Sequence, residues 1–496
     1  MRSTMPLLPA EVWCLIRGLL ENDKRTLACL CQTCKSLQEF AEPTLYVRYD
    51  IHIYPNDNGP QTRLFVAFYR TVLETPRLAA LVTFLQVMIA IPAADEAGQS
   101  SEAEEEAARL LDQTVTDRFH FRYKLDLVVK RKWGVVPLAG LLPFLLPNLE
   151  HCNILEVLHY ETFRLVRCLH RARRLPPLVA LTHMFLMFST YIPTGSCGRP
   201  DAFRLSSVAP LIELAPNLRE LELAGCQGHE PDRRRPRIAI RREEGELISP
   251  LLPKFPASLQ ALEIRLSHFN AAELAHALSE YRSLRRFAYS EGGPDMFKPA
   301  SIPNYHEITA GQVIEALRPV AHDTLERLEL NLWRAPRLRD VGRPRLIRGN
   351  LGDAFPHLAE VRLSAEDLFW TLGPKPTTIE PTGGGGRGRL VSLLPEQTLC
   401  VLEFHEFDAL LVPDLQRMAH PVAYEGRFPR LRTVRVNVAP EDPTTVTVHF
   451  RRLLLMLEVL SVEQRAVLEE FFGRAGVEVL LKPNWMWGSR RDKPLP

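Results

Sequence analysis

A short motif, Leu-x-x-apolar-x-apolar, recurs from residue 218 onward and limits the fold more than any other feature of the sequence. Its copies begin at Leu218, Leu259, Leu284, Leu325, Leu358, Leu399 and Leu431. Weaker copies begin at Leu149 and Leu178. One strand–helix unit of this kind cannot cover its own apolar face, but stacked units share a continuous core. The motif therefore predicts an α/β solenoid whose strands form a parallel sheet.

The spacing of the motif shows that each unit is long. Successive starts are 41, 25, 41, 33, 41 and 32 residues apart, against about 20–29 residues in ordinary leucine-rich repeats. Each unit therefore has room for a strand, a helix and an insertion. Asn270 with Glu273, and Thr309 with Gln312, have the spacing of a capping box and predict two of the helices. The array resembles the leucine-rich repeat family in an irregular form, which implies loops along one rim.

The first fifty residues have a different pattern, that of three short helices followed by a strand. Pro9 suits the first position of a helix. An apolar stripe follows at helical spacing, formed by Val12, Leu15, Ile16, Leu19 and Leu20. So short a helix is not stable alone, whereas burial of each stripe residue contributes roughly 1.5–3 kcal/mol, so the helix must pack on something. We expect further helices over 24–31 and 34–41, the second ending before Pro43, and an alternating strand over 45–54.

Three runs within this segment carry a resemblance to a known family. They are LPAEVW from Leu8 to Trp13, LACLCQTCKSL from Leu27 to Leu37, and FAEPTLY from Phe40 to Tyr46. In this order they resemble an F-box, in the form common in fungal F-box proteins. The resemblance covers the first fifty of the 496 residues, and Ser36 and Leu37 stand where many F-boxes have a tryptophan.

The resemblance implies that the N-terminal helices dock a Skp-type adaptor and, through it, a cullin. Carried over by position, the adaptor-binding residues are Leu8, Pro9, Val12, Ile16 and Leu20. The chain would be the substrate-recognition subunit of a Skp-cullin-F-box type ubiquitin ligase, with an unknown protein substrate on its repeats. Such a subunit acts by proximity and is not itself an enzyme. The expected fold class is α/β, with a three-helix F-box at 1–50, an irregular leucine-rich-repeat-like α/β solenoid at 51–483 and a tail at 484–496.

Three other classes of function compete with this interpretation: a repeat scaffold, a nucleic-acid binder and, as the least favoured, an enzyme without a recognised motif. A leucine-rich-repeat scaffold without ligase association would use the N-terminal helices only to cap the array. A charged substitution at Ile16 separates the two, because it abolishes adaptor binding in the first case and mainly lowers stability in the second. A nucleic-acid binder would work through arginine-rich loops and lose affinity steeply with salt. Nucleic acid is not the expected partner, since the net charge is only +2.

Three arginine-rich segments, 164–174, 233–242 and 334–348, are candidates for binding an acidic partner. The third is also rich in proline and glycine and is expected to form a loop between repeats. Its candidate substrate-binding residues are Arg337, Arg339, Arg343 and Arg345. Because guanidinium groups match carboxylate and phosphate geometry, this loop could recognise an acidic or phosphorylated target. The other interpretation is a solvated insertion without a ligand.

No motif predicts catalysis, a metal site or a cofactor. Cys31 and Cys34 form half of a zinc pattern, but no second cysteine or histidine pair follows at a suitable spacing. We expect both thiols to be buried between the helices. The glycine run 383–388 lacks the Gly-Lys-Ser/Thr of a phosphate-binding loop. We therefore expect a binding protein that is not an enzyme and has neither metal nor cofactor.

The composition predicts an intracellular protein of the cytoplasm or nucleus. The nine cysteines are scattered and odd in number, unlike a disulfide framework. We find no signal peptide at the start. We expect no membrane span either, because the longest apolar run, 134–146, is interrupted by Pro137 and Pro143.

Overall fold

The computed structural model places the described residues in helices, parallel strands and the turns between them. It describes residues 9–21, 23–53, 60–90, 102–121, 135–157, 162–188, 203–227, 240–241, 247–248, 255–267, 269–291, 308–332, 347, 349–364, 389–405, 411–438 and 462–483. These residues form two compact units. The first contains the described residues up to 219 except 204–206, and the second contains 204–206 and the described residues from 220 onward.

Three helices open the first unit: α1 (Ala10–Leu20), α2 (Lys24–Thr33) and α3 (Lys35–Val47). The Asp23 carboxylate caps α2, accepting hydrogen bonds from the Thr26 backbone N–H at 2.9 Å and from the Thr26 hydroxyl at 2.7 Å. Leu27 of α2 and Leu37 and Ala41 of α3 are buried. The predicted succession of three short helices is confirmed. Their assignment to an F-box, and the boundary at residue 50, stay predictions.

The predicted end of the third helix before Pro43 was wrong. α3 continues through Pro43, and the strand β1 covers Arg48–Ile53 rather than starting near residue 45. A proline inside a helix costs about 3 kcal/mol or more. Tertiary contacts offset this cost, because Thr44 is buried and the Lys24 ammonium donates to the carbonyls of Thr44 and Leu45 at 3.0 and 3.3 Å.

The rest of the first unit alternates between helices and parallel strands. The helices are α4 (Pro60–Glu74), α5 (Pro76–Ala79), α6 (Glu102–Gln113), α7 (Val135–Leu141) and α8 (Thr162–Arg171). A π turn, Thr114–Arg118, extends α6, and a 3-10 turn, Leu142–Leu145, extends α7. Strands β1, β2 (Phe84–Ala90), β3 (His151–Val157) and β4 (His183–Phe188) pair in that order, all parallel.

The second unit is built on parallel strands that pair in chain order. They are β5 (Glu220–Ala224), β6 (Ala261–Ser267), β7 (Arg286–Glu291), β8 (Arg327–Asn331), β9 (Glu360–Leu363), β10 (Val401–Phe404), β11 (Thr433–Val438) and β12 (Glu478–Pro483). Short strands also occur at Phe203–Arg204, Cys226–Gln227, Ile240–Arg241 and Leu247–Ile248. α9 (Leu205–Glu213) is divided between the units after residue 206. The later helices are α10 (Ala271–Leu278), α11 (Ala310–Ala321), α12 (Leu351–Ala354), α13 (Arg389–Leu393), α14 (Leu411–Tyr424) and α15 (Val462–Arg474).

The register of the second unit's strands confirms the repeat. Each motif strand begins two residues after its leading leucine, as Glu220 follows Leu218. The central apolar residues are aligned across the sheet: Leu221, Leu262, Phe287, Leu328, Val361, Leu402, Val434 and Val479. All of them are buried except Val479, which is half-buried. One face of the sheet therefore supplies the core, and the predicted parallel α/β repeat architecture is observed.

Two details of the repeat differ from the prediction. Leu149 begins a true copy, since β3 follows two residues later, but Leu178 does not. β4 begins at His183, so the leucine that corresponds to the motif is Leu181. A further copy begins at Val82, just before β2, and went unrecognised because valine replaces the leading leucine.

A hydroxyl group directly before the motif leucine joins several repeats to the preceding one. Ser283, Thr324 and Thr398 donate to the carbonyls of Leu259, Leu284 and Leu358 at 3.3, 2.8 and 2.7 Å. In each case the acceptor is the motif leucine of the previous repeat. These bonds satisfy main-chain acceptors in the turns that lead into the strands.

Both predicted capping boxes are present, at the starts of α10 and α11. The Asn270 side chain accepts from the N–H of Glu273 at 2.8 Å, and the Thr309 hydroxyl accepts from the N–H of Gln312 at 3.2 Å. The side chains of Glu273 and Gln312 accept from the backbone N–H of the capping residue, both at 2.9 Å. Near the C-terminus, Gly476, with φ +71°, lies just beyond the end of α15.

Candidate functional site

Within the described part of the chain, α1 contacts α3 through one aromatic pair. The Trp13 ring contacts the Phe40 ring of α3, with centroids 4.5 Å apart and planes inclined at 48°. Val12, Ile16 and Leu20 follow Trp13 around the helix and are half-buried. These residues form the more buried side of α1, and among the described residues the other edge of its apolar stripe is exposed.

Leu15 and Leu19 form this uncovered edge. Leu15 is 69% exposed and Leu19 is 84% exposed, the highest values among the large hydrophobic residues that the structure describes. The two side chains lie one turn apart on the same face of the helix. Exposed leucines that are scattered singly need no explanation, but this adjacent pair continues a stripe that is otherwise packed. α1 therefore presents an apolar surface that a second protein can cover.

The predicted docking residues overlap this surface only in part. Pro9 is exposed, Val12, Ile16 and Leu20 are half-buried, and Leu8 lies outside the described residues. The most exposed positions, Leu15 and Leu19, belonged to the predicted stripe but were absent from the predicted docking set. Their place in the stripe is the signal for them in the sequence, but the stripe has the ordinary width of a packed helix face and does not show which edge stays exposed.

Polar contacts hold the helices that carry this surface. Burial lowers the pKa of the Lys24 ammonium, which donates to carbonyls near the end of α3. Glu42 of α3 is buried and accepts hydrogen bonds from Gln38 at 3.1 Å and from Arg77 of α5 at 2.5 Å. The Arg77–Glu42 ion pair thus joins the N-terminal helices to the helix that precedes β2.

The two cysteines of the half zinc pattern are less buried than predicted. Cys34 is exposed and Cys31 is half-buried, so the prediction that both are buried was wrong. They lie where α2 ends and α3 begins, and the chain turns at the surface there. Burial and the charge of Glu42 raise the pKa of the Cys31 thiol. Among the described residues, no group of three or more histidine, cysteine, aspartate or glutamate side chains is arranged to hold a metal ion.

The sheet of the second unit offers a different kind of surface on its polar face. Side chains alternate along a strand, so residues between the buried motif positions point away from the core. Many of them are charged: Glu222, Glu263, Arg265, Arg327, Glu329, Arg362, Glu403 and Arg435. We call this set the ion-pair network.

Opposite charges in the ion-pair network meet from strand to strand. Arg265 of β6 lies 3.7 Å from Glu222 of β5. Arg362 of β9 and Arg435 of β11 both contact Glu403 of β10, at 3.1 and 3.5 Å. This face of the sheet therefore pairs positive with negative side chains rather than presenting charges of one sign.

Glu329 is the centre of the ion-pair network. Its side chain is 9% exposed, and its carboxylate is contacted by Arg327 at 3.3 Å, Arg362 at 3.4 Å and Arg265 at 4.0 Å. Burial alone would raise the pKa of Glu329. The electrostatic effects of His405, and then of the three arginines, outweigh burial and hold that pKa below the ordinary value of a glutamate.

His405 adds a titratable group to the same centre. Its Nε2 lies 3.7 Å from a carboxylate oxygen of Glu329. Burial lowers the pKa of His405, although the carboxylates of Glu329 and Glu403 act in the opposite direction. The protonation of His405 is therefore coupled to the charge of Glu329.

The predicted substrate-binding arginines, Arg337, Arg339, Arg343 and Arg345, lie outside the described residues. Their role stays a prediction. Of the segment 233–242, only Ile240–Arg241 is described, in an antiparallel pair with Leu247–Ile248. Residues 171–174, at the end of the first arginine-rich segment, are exposed, which agrees with a solvated face.

The chain is a repeat-built α/β protein with parallel strands. No protein-family model matches it, and no curated protein matches it. A solved structure, described as the crystal structure of a TLR13-ssRNA13 complex, is similar over 60% of this chain and 37% of its own length, with 13% identity and a TM-score of 0.25. A similarity this low establishes neither a shared family nor a shared function. Within the part of the chain that the structure describes, no helix is long and apolar enough to cross a membrane.

Proposed function

We propose that this chain is the substrate-recognition subunit of a Skp-cullin-F-box type ubiquitin ligase. Its N-terminal helices dock a Skp-type adaptor, which links the chain to a cullin, and its repeats hold a protein target. The observation that carries the proposal is the exposed leucine pair, Leu15 and Leu19, on the first helix of the segment that resembles an F-box.

The exposed pair has enough apolar surface to matter energetically. Full burial of a leucine side chain contributes roughly 1.5–3 kcal/mol. The exposed fractions of Leu15 and Leu19 together correspond to about one and a half side chains. A partner that covers both would gain roughly 2.3–4.6 kcal/mol, which is roughly a 50- to 2,000-fold contribution to affinity.

The mechanism is recruitment rather than chemistry. A target bound to the repeats is held near the ubiquitin-loaded enzyme, and the effective concentration of its lysines rises accordingly. The bond-forming chemistry belongs to the partner proteins. The role of this chain is to place two binding surfaces on one polypeptide.

The proposal is tested by calorimetric titration of the purified full chain with a purified Skp-type adaptor. The decisive variant is Leu15→Asp/Leu19→Asp, because both side chains are exposed and their replacement should not unfold the protein. The matched control is Leu64→Asp, since Leu64 on α4 is 58% exposed and lies outside the N-terminal helices. We expect the double variant to bind roughly 50-fold more weakly or worse, and the control to bind like the parent.

A repeat scaffold without ligase association is the second candidate, and the observed repeat architecture supports it equally well. The same titration separates the two. If the folded parent shows no adaptor binding, the ligase proposal is wrong and the scaffold remains. If Ile16→Asp only lowers the melting temperature while adaptor binding persists, α1 is a capping helix rather than a docking helix.

A further inference from the structure

The first unit contains an apolar cavity of about 230 Å³ that the proposed adaptor surface does not involve. The end of α4, the helix α5, the turn after α7 and the loop 176–180 form its walls. Val72, Leu73, Phe144, Leu145 and Leu178 are among the lining residues. A dry apolar cavity of about 150 Å³ accommodates benzene, so this one has room for an aliphatic side chain with a neighbouring group.

Prolines make the walls of this cavity rigid. The lining includes Pro76, Pro143, Pro147, Pro176 and Pro177. Proline has no backbone N–H and a fixed φ, so these walls offer few hydrogen-bond donors and little freedom to collapse. A ligand would gain apolar contact there rather than main-chain hydrogen bonds.

The rim of the cavity is apolar and faces solvent. Val179 is 53% exposed and is one of the few large hydrophobic residues exposed among the described parts of the chain. Pro147, Pro176 and Pro177 are exposed beside it. The apolar surface therefore extends beyond the cavity itself, which suits a polypeptide lying across the mouth better than a small molecule enclosed inside.

Arg118 is the one charged residue among the described residues that line the cavity. It ends the π turn that follows α6, and the N–H of Phe119 donates to the Thr114 carbonyl at 3.1 Å to close this turn. Thr114 is buried and accepts a hydrogen bond from the Tyr69 hydroxyl at 3.2 Å. The backbone of Arg118 is thus held by the turn, and Arg118 is an exposed residue in the lining of the cavity.

We propose that this cavity binds a peptide segment of a partner protein that carries an aliphatic side chain next to a carboxylate. The aliphatic side chain fills the proline-lined cavity, and the carboxylate pairs with the Arg118 guanidinium, which can donate two parallel hydrogen bonds to it. This proposal rests on the proposed function in one respect: the partner that supplies the peptide is the target of the ligase.

The test uses the full chain and a positional-scanning library of fluorescein-labelled octapeptides. We expect the parent to select leucine, isoleucine, valine or methionine beside aspartate or glutamate. Arg118→Glu should reverse the charge preference to lysine or arginine, and Val179→Asp should weaken the best peptide at least tenfold in fluorescence anisotropy. Arg63→Glu, at an exposed arginine of α4 that does not line the cavity, should leave the selection unchanged.

Two results would overturn the proposal: no residue preference in the parent, or the same acidic preference in Arg118→Glu as in the parent. Binding of octanoate by a parent that selects no peptide would assign the cavity to a small amphiphile instead. Adaptor titration of the same preparations keeps the two claims separate. Leu15→Asp/Leu19→Asp should lose the adaptor and keep the peptide selection.

Discussion

Replacement of Glu329 by alanine removes the carboxylate on which the ion-pair network converges. Glu329 is 9% exposed at its side chain and faces Arg265, Arg327 and Arg362. Removing one partner of a buried ion pair costs about 3–5 kcal/mol, because the opposite charges stay behind without compensation. These arginines keep 41%, 26% and 22% of their side chains exposed and can be partly hydrated. We therefore expect the lower end of that range, about 3 kcal/mol.

The control for this substitution lies three residues earlier in the same repeat. Glu326 pairs with Arg285 at 3.3 Å, but their side chains are 52% and 60% exposed. Exposed pairs contribute about 0–1 kcal/mol, so Glu326→Ala should change the free energy of unfolding very little. Urea unfolding of the full chain, followed by circular dichroism, measures both variants against the parent. Equal losses in free energy of unfolding would show that burial does not distinguish Glu329 from a surface glutamate, and the predicted difference would be wrong.

Three further predictions concern pH, glycine and helix capping. The pKa of His405 is lowered in the folded state, so the unfolded chain takes up the proton first and stability falls as pH drops below about 6.5. The urea midpoint should therefore fall between pH 7 and pH 5, and it should fall less in His405→Gln. Gly473→Ala should raise the melting temperature, because Gly473 lies inside α15 with no atom near an added Cβ. Gly476→Ala should lower it, since φ is +71° there. Asn270→Ala should cost about 1 kcal/mol in urea unfolding, through loss of the cap of α10.

The repeat could be predicted from sequence because its information is local. A leading leucine followed by alternating apolar residues determines which face of a strand is buried. A capping box spans only four residues, and those that begin at Asn270 and Thr309 mark the starts of α10 and α11. The copy at Val82 shows the limit of this approach. Valine fills the leading position there and is fully buried, but a motif defined by leucine does not include it.

The end of α3 could not be predicted because it depends on distant contacts. The local rule at Pro43 favours a helix end. The contacts that override it join α3 to Lys24, twenty residues away, and to Arg77 on a later helix. Only the folded arrangement of these elements reveals that balance.

The apolar stripe of α1 and the ion-pair network differ in how far they can be predicted from the sequence. The apolar stripe of α1 can be predicted, but which of its leucines face solvent depends on where Trp13 packs. The ion-pair network is harder to predict, because Arg362 and Glu403 meet only through the register in which β9 and β10 pair. The spacing of charges along the chain shows that they share a face, and the register alone determines which of them pair.

The proposed docking of a Skp-type adaptor on α1 can be located by hydrogen–deuterium exchange of the full chain, measured with and without the purified adaptor. We expect slowed exchange within residues 10–47, and we expect it to be lost in Leu15→Asp/Leu19→Asp. Slowed exchange confined to the repeats, or none at adaptor concentrations that saturate a known partner, would contradict the proposed docking.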